Sequence, residues 1–232
     1  GGSCWRNSHG VHAKPSPQDS VKTTNVIGLC AGGHCRSLLA ALAAMKVPVL
    51  GLLDDRLVMR LGPLGGVRLL GPLTQLATLG RGRYFVGLGA KDAAGCAQRR
   101  AIWNRPRGHW QPLTIIHPSA VIDGSAHVGP GAQILALAHL GPGAMVGRNA
   151  VVNTLANLEH GASVGPHAFI GPGAILCGGV AVEREAFVGA GAILLPGIQV
   201  GPRATVGAGA VVTRDVKEGE TVVGLVRARK RR

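Results

Sequence analysis

The most regular feature of the chain is a hydrophobic pattern with a period of six residues, which begins at Ile116 and ends at Val212. Every sixth position is aliphatic without a break: Ile116, Ile122, Val128, Ile134, Leu140, Val146, Val152, Leu158, Val164, Ile170, Leu176, Val182, Val188, Leu194, Val200, Val206 and Val212. Side chains of a β-strand alternate between two faces, so an even period returns each aliphatic residue to the same side. The pattern therefore predicts short strands that share one core.

Small residues at two other positions of each hexad indicate how the chain turns between these strands. An alanine stands two positions before most of the aliphatic residues, as at Ala138 and Ala156, and a glycine often follows them, as at Gly171 and Gly189. Glycine eases tight turns, and a fixed period of this kind is typical of a solenoid. An ordinary β-sandwich keeps no fixed hexad register. We therefore predict a β-solenoid that turns every six residues.

The residues before this repeat have an alternating α/β pattern. The predicted elements are strands at 26–29, 47–53, 67–70 and 84–88, a glycine-containing loop at 31–34, a glycine-rich turn at 62–66, and helices from the loop to about residue 46, at 72–79 and at 93–103. Strands that alternate with helices favour a parallel sheet of Rossmann type. A proline-bounded stretch, 106–112, is the predicted linker to the solenoid.

The resulting domain organisation has four segments. We predict a disordered or tag-like arm at 1–22, an α/β Rossmann-like domain at 23–111, a solenoid at 112–224 and a basic tail at 225–232. Only 3% of the residues are aromatic, whereas 37 are glycine. This composition is unusual for a globular domain and suits a narrow prism filled with aliphatic side chains.

The formal net charge of +14 raises the question of nucleic-acid binding. Most basic residues are scattered arginines, and the only dense run is at the C-terminus, without aromatic residues that could stack on bases. This distribution argues against nucleic acid and is equally compatible with an anionic small molecule. Five cysteines in no disulfide or CxxC pattern predict a reducing cytoplasm, with neither a membrane-spanning run nor a signal peptide.

Two polar groups fall at the predicted carboxyl ends of strands, where an open α/β sheet binds its ligands. They are the loop Gly32, Gly33 and His34, and the acidic pair Asp54 and Asp55. A glycine loop at a helix N-terminus can approach phosphate, and the acids can accept from a ribose or a base. Cys30 replaces the first glycine of a dinucleotide-binding motif, which argues against NAD. Structural turn glycines and a helix-capping aspartate remain the alternative.

The order of several short motifs resembles the sialic acid O-acetyltransferase family of hexapeptide-repeat sugar acyltransferases. The matching segments are 31–34 (AGGH), 51–55 (GLLDD), 116–120 (IHPSA), 152–154 (VNT) and 159–160 (EH). The similarity covers about residues 25–224, and the family includes N-acetyltransferases of nucleotide-linked 4-amino sugars. It implies a left-handed parallel β-helix with three hexads per coil, a homotrimer, and acetyl-CoA in the groove between adjacent solenoids.

The resemblance also implies roles for individual residues, and His160 corresponds to the general base of the family. The implied catalytic set is His160, Glu159 and Gly178; the implied sugar-nucleotide set is Gly32, Gly33, His34, Asp54, Asp55, Gly89 and Asn153; the implied acetyl-CoA set is Phe169, Gly189, Ala190, Gly207 and Ala208. No metal is expected. Gly178 follows His160 by eighteen residues, one coil of such a helix, so its N–H could stabilise an oxyanion. A plain corner glycine is the alternative.

Three departures from the family pattern keep other functions open. Gly161 stands where the family usually has an acid, Phe169 replaces a frequent histidine, and residues 224–227 lack the terminal family pattern. The alternatives are a sugar O-acetyltransferase, a non-catalytic solenoid, and a metal-dependent lyase like the γ-class carbonic anhydrases. For the lyase, the spacing of His139, His160 and His167 does not match.

Overall fold

The computed structural model describes residues 25–56, 64–106 and 108–227. The predicted arm at 1–22, part of the glycine-rich turn at 62–66 and residues 228–232 of the predicted tail lie outside these ranges. The described residues form an α/β unit followed by a parallel β-solenoid.

The α/β unit is built on a parallel sheet of five strands in the order β3-β2-β1-β4-β5. Its elements are β1 (Val26–Leu29), α1 (Gly33–Ala44), β2 (Gly51–Leu53), β3 (Leu69–Gly71), a 3₁₀ helix (Leu73–Thr78), β4 (Gly82–Val86), α2 (Ala93–Trp103) and β5 (Trp110–Pro112). All four residues of β1 are buried, as expected for a central strand covered on both faces. The strand order reverses between β1 and β4, so the loops that follow these two strands diverge and leave a crevice.

The sequence predicted β1 and α2 with their observed bounds, but other elements differ. Strand β2 is only three residues long, because Val47 N–H still bonds the end of α1 and Pro48 has no N–H. The predicted helix at 72–79 is a 3₁₀ helix. The predicted linker at 106–112 contains β5, an edge strand too short to show an alternating pattern.

The solenoid consists of two-residue strands that lie on three flat faces. Face 1 contains β6 (Ile115–Ile116), β9 (Gln133–Ile134), β12 (Val151–Val152), β15 (Phe169–Ile170), β18 (Phe187–Val188), β21 (Thr205–Val206) and β23 (Thr221–Val222). Face 2 contains β7 (Val121–Ile122), β10 (His139–Leu140), β13 (Asn157–Leu158), β16 (Ile175–Leu176), β19 (Ile193–Leu194), β22 (Val211–Val212) and β24 (Leu225–Val226). Face 3 contains β8 (His127–Val128), β11 (Met145–Val146), β14 (Ser163–Val164), β17 (Ala181–Val182) and β20 (Gln199–Val200).

Residues eighteen apart pair in parallel along every face, as Leu140 does with Leu158 and Leu158 with Leu176. This register confirms the predicted β-solenoid. The hexad period ends at Val212, yet β23 and β24 continue two of the faces, so the predicted tail at 225–232 begins with a paired strand.

The predicted inward positions form one continuous core. From Ile134 onward every aliphatic hexad residue is at most 2% exposed, and the alanines two positions earlier are buried beside them. Ile116, Ile122 and Val128 are only partly buried, because they belong to the first coil and have no coil below them.

The glycines after the aliphatic residues are required by coil packing. A Cβ on Gly171 would lie 2.7 Å from the carbonyl carbon of Gly189, and one on Gly189 would lie 2.7 Å from that of Gly207. Since no real side chain tolerates such contacts with backbone, the close stacking of coils explains these glycines without any ligand.

The α/β unit packs against face 1 through α2. Cys96 of α2 is buried with Val151, Phe169 and Phe187, and Arg100 forms an ion pair of 3.3 Å with Glu185. Face 1 is therefore covered at this level, whereas the corner that follows it stays open. Within the described ranges, no helix has the length and apolarity needed to cross a membrane.

Candidate active site

An open groove of about 980 Å³ lies between the N-terminal end of α2 and the corner that joins face 1 to face 2. Nine of the residues predicted for substrate or coenzyme line it: Gly33, His34, Gly89, Asn153, Phe169, Gly189, Ala190, Gly207 and Ala208. The structure thus brings residues from two loops of the α/β unit and four coils of the solenoid to one cavity. Its lining also includes Lys91, Asp92 and Phe187, for which the sequence predicted no role. Phe187 stacks eighteen residues after Phe169, so the repeat itself contained the signal that could have identified it.

Aromatic rings form the floor of this groove. Phe169 stacks on Phe187 with ring centroids 5.7 Å apart, and the ring of His34 meets Phe169 edge-on at 5.6 Å. Both phenylalanines are buried, on the outward side of face 1 under α2. Phe169, which stands where the resemblance implies a histidine, therefore contributes packing and no proton-transfer group.

Beneath His34 lies a buried network of hydrogen-bonded polar side chains that joins the α/β unit to the solenoid. His34 Nε2 is 2.9 Å from Gln133 Oε1, and the fully buried Arg99 reaches Gln133 Oε1 at 3.4 Å and Asn149 Oδ1 at 3.3 Å. Burial, and then the charge of Arg99, lower the pKa of His34 to about 4. Gln133 and Arg99 gave no sequence signal, because an isolated polar residue on an outward strand position or a helix normally faces solvent.

The predicted acidic pair is occupied by internal partners. Asp54 is buried and accepts backbone N–H groups from Ala31 and Arg56, each at 2.7 Å. Asp55 accepts Leu73 N–H at 2.8 Å and pairs with Arg105 at 3.0 Å. Gly32 is the N-cap residue of α1. These residues lie beside the loop after β1 but do not line the groove, so the geometry gives Asp54 a structural part in holding that loop.

The imidazole of His160 lies over Gly178, at the corner that joins face 2 to face 3. A Cβ on Gly178 would come within 2.5 Å of His160 Nε2, and Gly179 N–H donates to the His160 carbonyl at 2.9 Å. His160 is exposed, as its outward position predicted. Its ring can therefore reach a ligand that lies along the backbone of the next coil.

The backbone N–H of Gly178 has no hydrogen-bond partner within 25–56, 64–106 and 108–227. The same turn position is proline in other coils, at Pro142, Pro166 and Pro196, so the fold makes no use of an N–H there. Gly178 is thus a donor with no side chain of its own, next to an exposed imidazole. Such a donor can accept the developing charge of an oxyanion.

Glu159 belongs to a separate hydrogen-bonded row on face 2. Its Oε1 accepts from Asn157 Nδ2 at 2.8 Å, and Asn157 Oδ1 accepts from His139 Nδ1 at 2.7 Å. In the described part of the chain, no hydrogen bond joins Glu159 to His160. The carboxylate predicted as a catalytic group is therefore directed along face 2 toward Asn157.

His160 and the groove lie at different corners of the same solenoid. The groove follows the strands of face 1, whereas His160 follows β13 of face 2. Accordingly, neither His160 nor Gly178 is among the residues that line the groove. No cluster of three or more His, Cys, Asp or Glu side chains in the described ranges could hold a metal ion.

The coils and the groove together define the class of the protein as a hexapeptide-repeat transferase. Residues 161–196 and 179–214 match the family described as the hexapeptide repeat of succinyl-transferase. No curated protein sequence matches the chain.

Solved structures resemble the chain over both units. PerB of Caulobacter crescentus, in complex with CoA and GDP-perosamine, is 30% identical, with a TM-score of 0.77 over 87% of this chain and 95% of PerB. The acetyltransferase domain of PglB of Neisseria gonorrhoeae, in complex with acetyl coenzyme A, is 28% identical, with a TM-score of 0.79 over 87% of this chain and 96% of that domain. WeeI of Acinetobacter baumannii, 20% identical with a TM-score of 0.68 over 87% of this chain and 97% of WeeI, shares the fold.

The chain therefore belongs to the hexapeptide-repeat acetyltransferases that include the perosamine N-acetyltransferase of Caulobacter crescentus. Acetyltransferases of this family use CoA thioesters as co-substrates; PerB was solved with CoA, and the PglB domain was solved with acetyl coenzyme A.

Proposed function

We propose that the protein transfers the acetyl group of acetyl-CoA to an amino group of a nucleotide-linked sugar, with His160 as the general base. The observation that carries this proposal is the position of the exposed His160 imidazole over the unpaired N–H of Gly178. The similarity of the chain to PerB, which was solved with CoA and GDP-perosamine, supports a nucleotide-linked amino sugar as the acceptor.

The chemistry follows from these two groups. The sugar amine attacks the thioester carbonyl while His160 accepts one of its protons, and the new C–N bond leaves a tetrahedral oxyanion that Gly178 N–H stabilises. The C–S bond then breaks, and the proton held by His160 passes to the departing thiolate of coenzyme A. Histidine serves in many enzymes both as the general base that accepts a proton and as the general acid that returns it.

The groove supplies the binding surface in this proposal. The exposed Ala190 and Ala208 leave a smooth strip for the coenzyme at the corner after face 1, while His34, Gly89 and Asn153 hold the acceptor sugar beside it. The α/β unit acts as a Rossmann-like nucleotide-binding domain, since its strand order reverses at the loop that carries His34. The solenoid is left-handed, as in the family.

A homotrimer completes the site. Within one chain His160 and the groove are at different corners, so the base that acts on a ligand in the groove must come from a neighbouring copy. Large apolar side chains that are more than half exposed, among them Leu137, Met145 and Leu155, are available for that contact. We place the reaction in the cytoplasm, where acetyl-CoA is made; the four described cysteines are all unbridged.

Two inactive variants test the shared site. His160→Ala removes the base, whereas Ala208→Glu blocks the coenzyme strip at another corner. Each homo-oligomer should be inactive, but subunits mixed under dissociating conditions and reassembled should regain part of the wild-type rate. Acetylated product is detected by mass with amino-sugar nucleotides as acceptors. Turnover retained in His160→Ala alone would remove His160 from the mechanism, and absence of saturable acetyl-CoA binding would favour a non-catalytic solenoid.

A further inference from the structure

Gln133 connects the groove to the buried Arg99 and has its amide orientation fixed by two partners. Its Nε2 donates to the carbonyl of Val86 at 2.9 Å, and its Oε1 faces the Arg99 guanidinium at 3.4 Å. Reversing the amide would bring its NH₂ against the cationic donor and its oxygen against a carbonyl. The oxygen therefore faces His34 as well, 2.9 Å from Nε2.

This orientation determines the tautomer of His34. An amide oxygen can only accept, so His34 Nε2 must carry the hydrogen of their shared bond. In a neutral imidazole the other nitrogen, Nδ1, is then an acceptor without a hydrogen.

The surroundings keep that ring neutral. Burial lowers the pKa of His34 to about 4, with Arg99 contributing and the Gln133 hydrogen bond opposing. Arg99 itself is fully buried, and its described partners are Gln133, Asn149 and the carbonyls of Val86 and Leu88, none of them a carboxylate. On the other side, the charged groups of the groove lining are Lys91 and Asp92 at the start of α2.

The Nδ1 atom of His34 is accessible from the groove. His34 lines the cavity, and within the described residues Nδ1 has no hydrogen-bond partner. Nδ1 is also not sealed off from solvent, since Nε of Arg99 is the only buried side-chain nitrogen or oxygen without a partner in the part of the chain that the structure describes. An accessible acceptor on a neutral ring selects for a ligand group that can donate.

We infer that Gln133, held by Val86 and Arg99, is a positioning residue that presents His34 Nδ1 as an acceptor for an N–H or O–H group of the acceptor sugar. The inference rests on the proposed function only for the identity of that ligand; the tautomer belongs to the protein alone. The site would reject an analogue with a carbonyl or phosphate oxygen at this place, because two acceptors would then face each other.

Nitrogen NMR of the full chain labelled with ¹⁵N-histidine tests the tautomer without any substrate. The His34 signals are assigned by their loss in His34→Asn. We expect a neutral ring at about pH 6 to about pH 8, protonated at Nε2 and bare at Nδ1. A ring protonated at Nδ1, or an imidazolium at about pH 7, would overturn the inference whether or not the enzyme is active.

Gln133→Leu tests the positioning role, with Gln199→Leu on the exposed outer side of face 3 as the matched control. In Gln133→Leu we expect the Nε2 preference to disappear and the KM for the amino-sugar nucleotide to rise about tenfold, the value of one lost hydrogen bond. The KM for acetyl-CoA should stay within about twofold, as should both constants in the control. An unchanged sugar KM in a variant whose tautomer has changed would refute the positioning role.

Failure of the proposed function and failure of the inference about Gln133 give different experimental results. If wild-type His34 has the expected tautomer but no nucleotide amino sugar is acetylated, the proposed function is wrong and the orientation of His34 stands. If acetylation proceeds with the opposite tautomer, the proposed function stands and the role of Gln133 is wrong.

Discussion

Gly161 and Glu185 occupy the same turn position in different coils, and both have a left-handed backbone, with φ of 65° and 58°. The position thus favours glycine but accepts a carboxylate residue. A Cβ on Gly161 would meet nothing closer than 4.0 Å. The left-handed turn therefore explains the glycine at position 161. The backbone and the surrounding space would also accept an acidic residue there, next to His160.

Gly161→Asp should accordingly fold with a small loss of stability, about 1 kcal/mol for a non-glycine residue in the left-handed region. The new carboxylate lies next to His160 and favours the imidazolium that forms as the amine loses its proton, so we expect kcat to rise severalfold. Steady-state kinetics and thermal unfolding measure both effects. Gly161→Asn, which has the same shape without the charge, is the control and should give the stability loss alone.

Gly178→Ala should lower kcat at least tenfold while leaving the fold intact. The added methyl group would overlap the His160 ring, which is exposed and can move aside, so the base loses its position over the Gly178 N–H. Gly124→Ala is the matched control, because residue 124 has the same place in its hexad and nothing lies within 4 Å of its Cβ. Equal kcat values for the two variants would argue against catalysis by His160 from its position over Gly178.

Ala208→Glu should abolish saturable acetyl-CoA binding in calorimetry with little change in thermal stability. Ala208 is exposed at the groove corner, where a carboxylate would fill the strip and repel the phosphates of the coenzyme. Pro130→Glu adds the same charge at the equivalent exposed hexad position of a different corner and should bind acetyl-CoA as the wild type does. Normal coenzyme affinity in Ala208→Glu would exclude the groove as the coenzyme site.

The stability of the protein should fall as the pH is lowered from about 6.5 toward about 4. Burial and three neighbouring arginines lower the pKa of His167 to about 4, and its Nδ1 accepts from Asn149 Nδ2 at 3.0 Å. Between these pH values the unfolded chain binds a proton that the folded chain excludes, so the free energy of unfolding decreases by up to about 1.4 kcal/mol per pH unit for this group.

His167→Asn removes the imidazole that binds this proton. Asparagine also suits the left-handed backbone at residue 167, where φ is 63°. Urea unfolding at about pH 7 and about pH 5 should show a weaker dependence on pH in this variant than in the wild type. Part of the dependence should remain, because His34 has a similarly lowered pKa. An identical dependence in both proteins would contradict the assignment to His167.

The sequence alone determined the solenoid and its inward residues, because each hexad repeats one local rule and every coil satisfies it independently. The stacking of residues eighteen apart was implied by the resemblance to the family, whose coils contain three hexads. It also determined the bounds of α2, an eleven-residue helix with Asp92 as its cap. Strand β5 escaped prediction, since three residues at a sheet edge show no period.

Only the tertiary structure decided how these parts combine into a site. The Gln133 and His34 side chains meet across 99 positions of sequence, and Arg99 becomes a buried cation only because α2 packs on face 1. The same packing places the groove at the corner after face 1, whereas the repeat places His160 at the corner after face 2. Periodicity specifies which side of a strand a residue occupies, but contacts between separate units depend on how their surfaces fit, which no local pattern encodes.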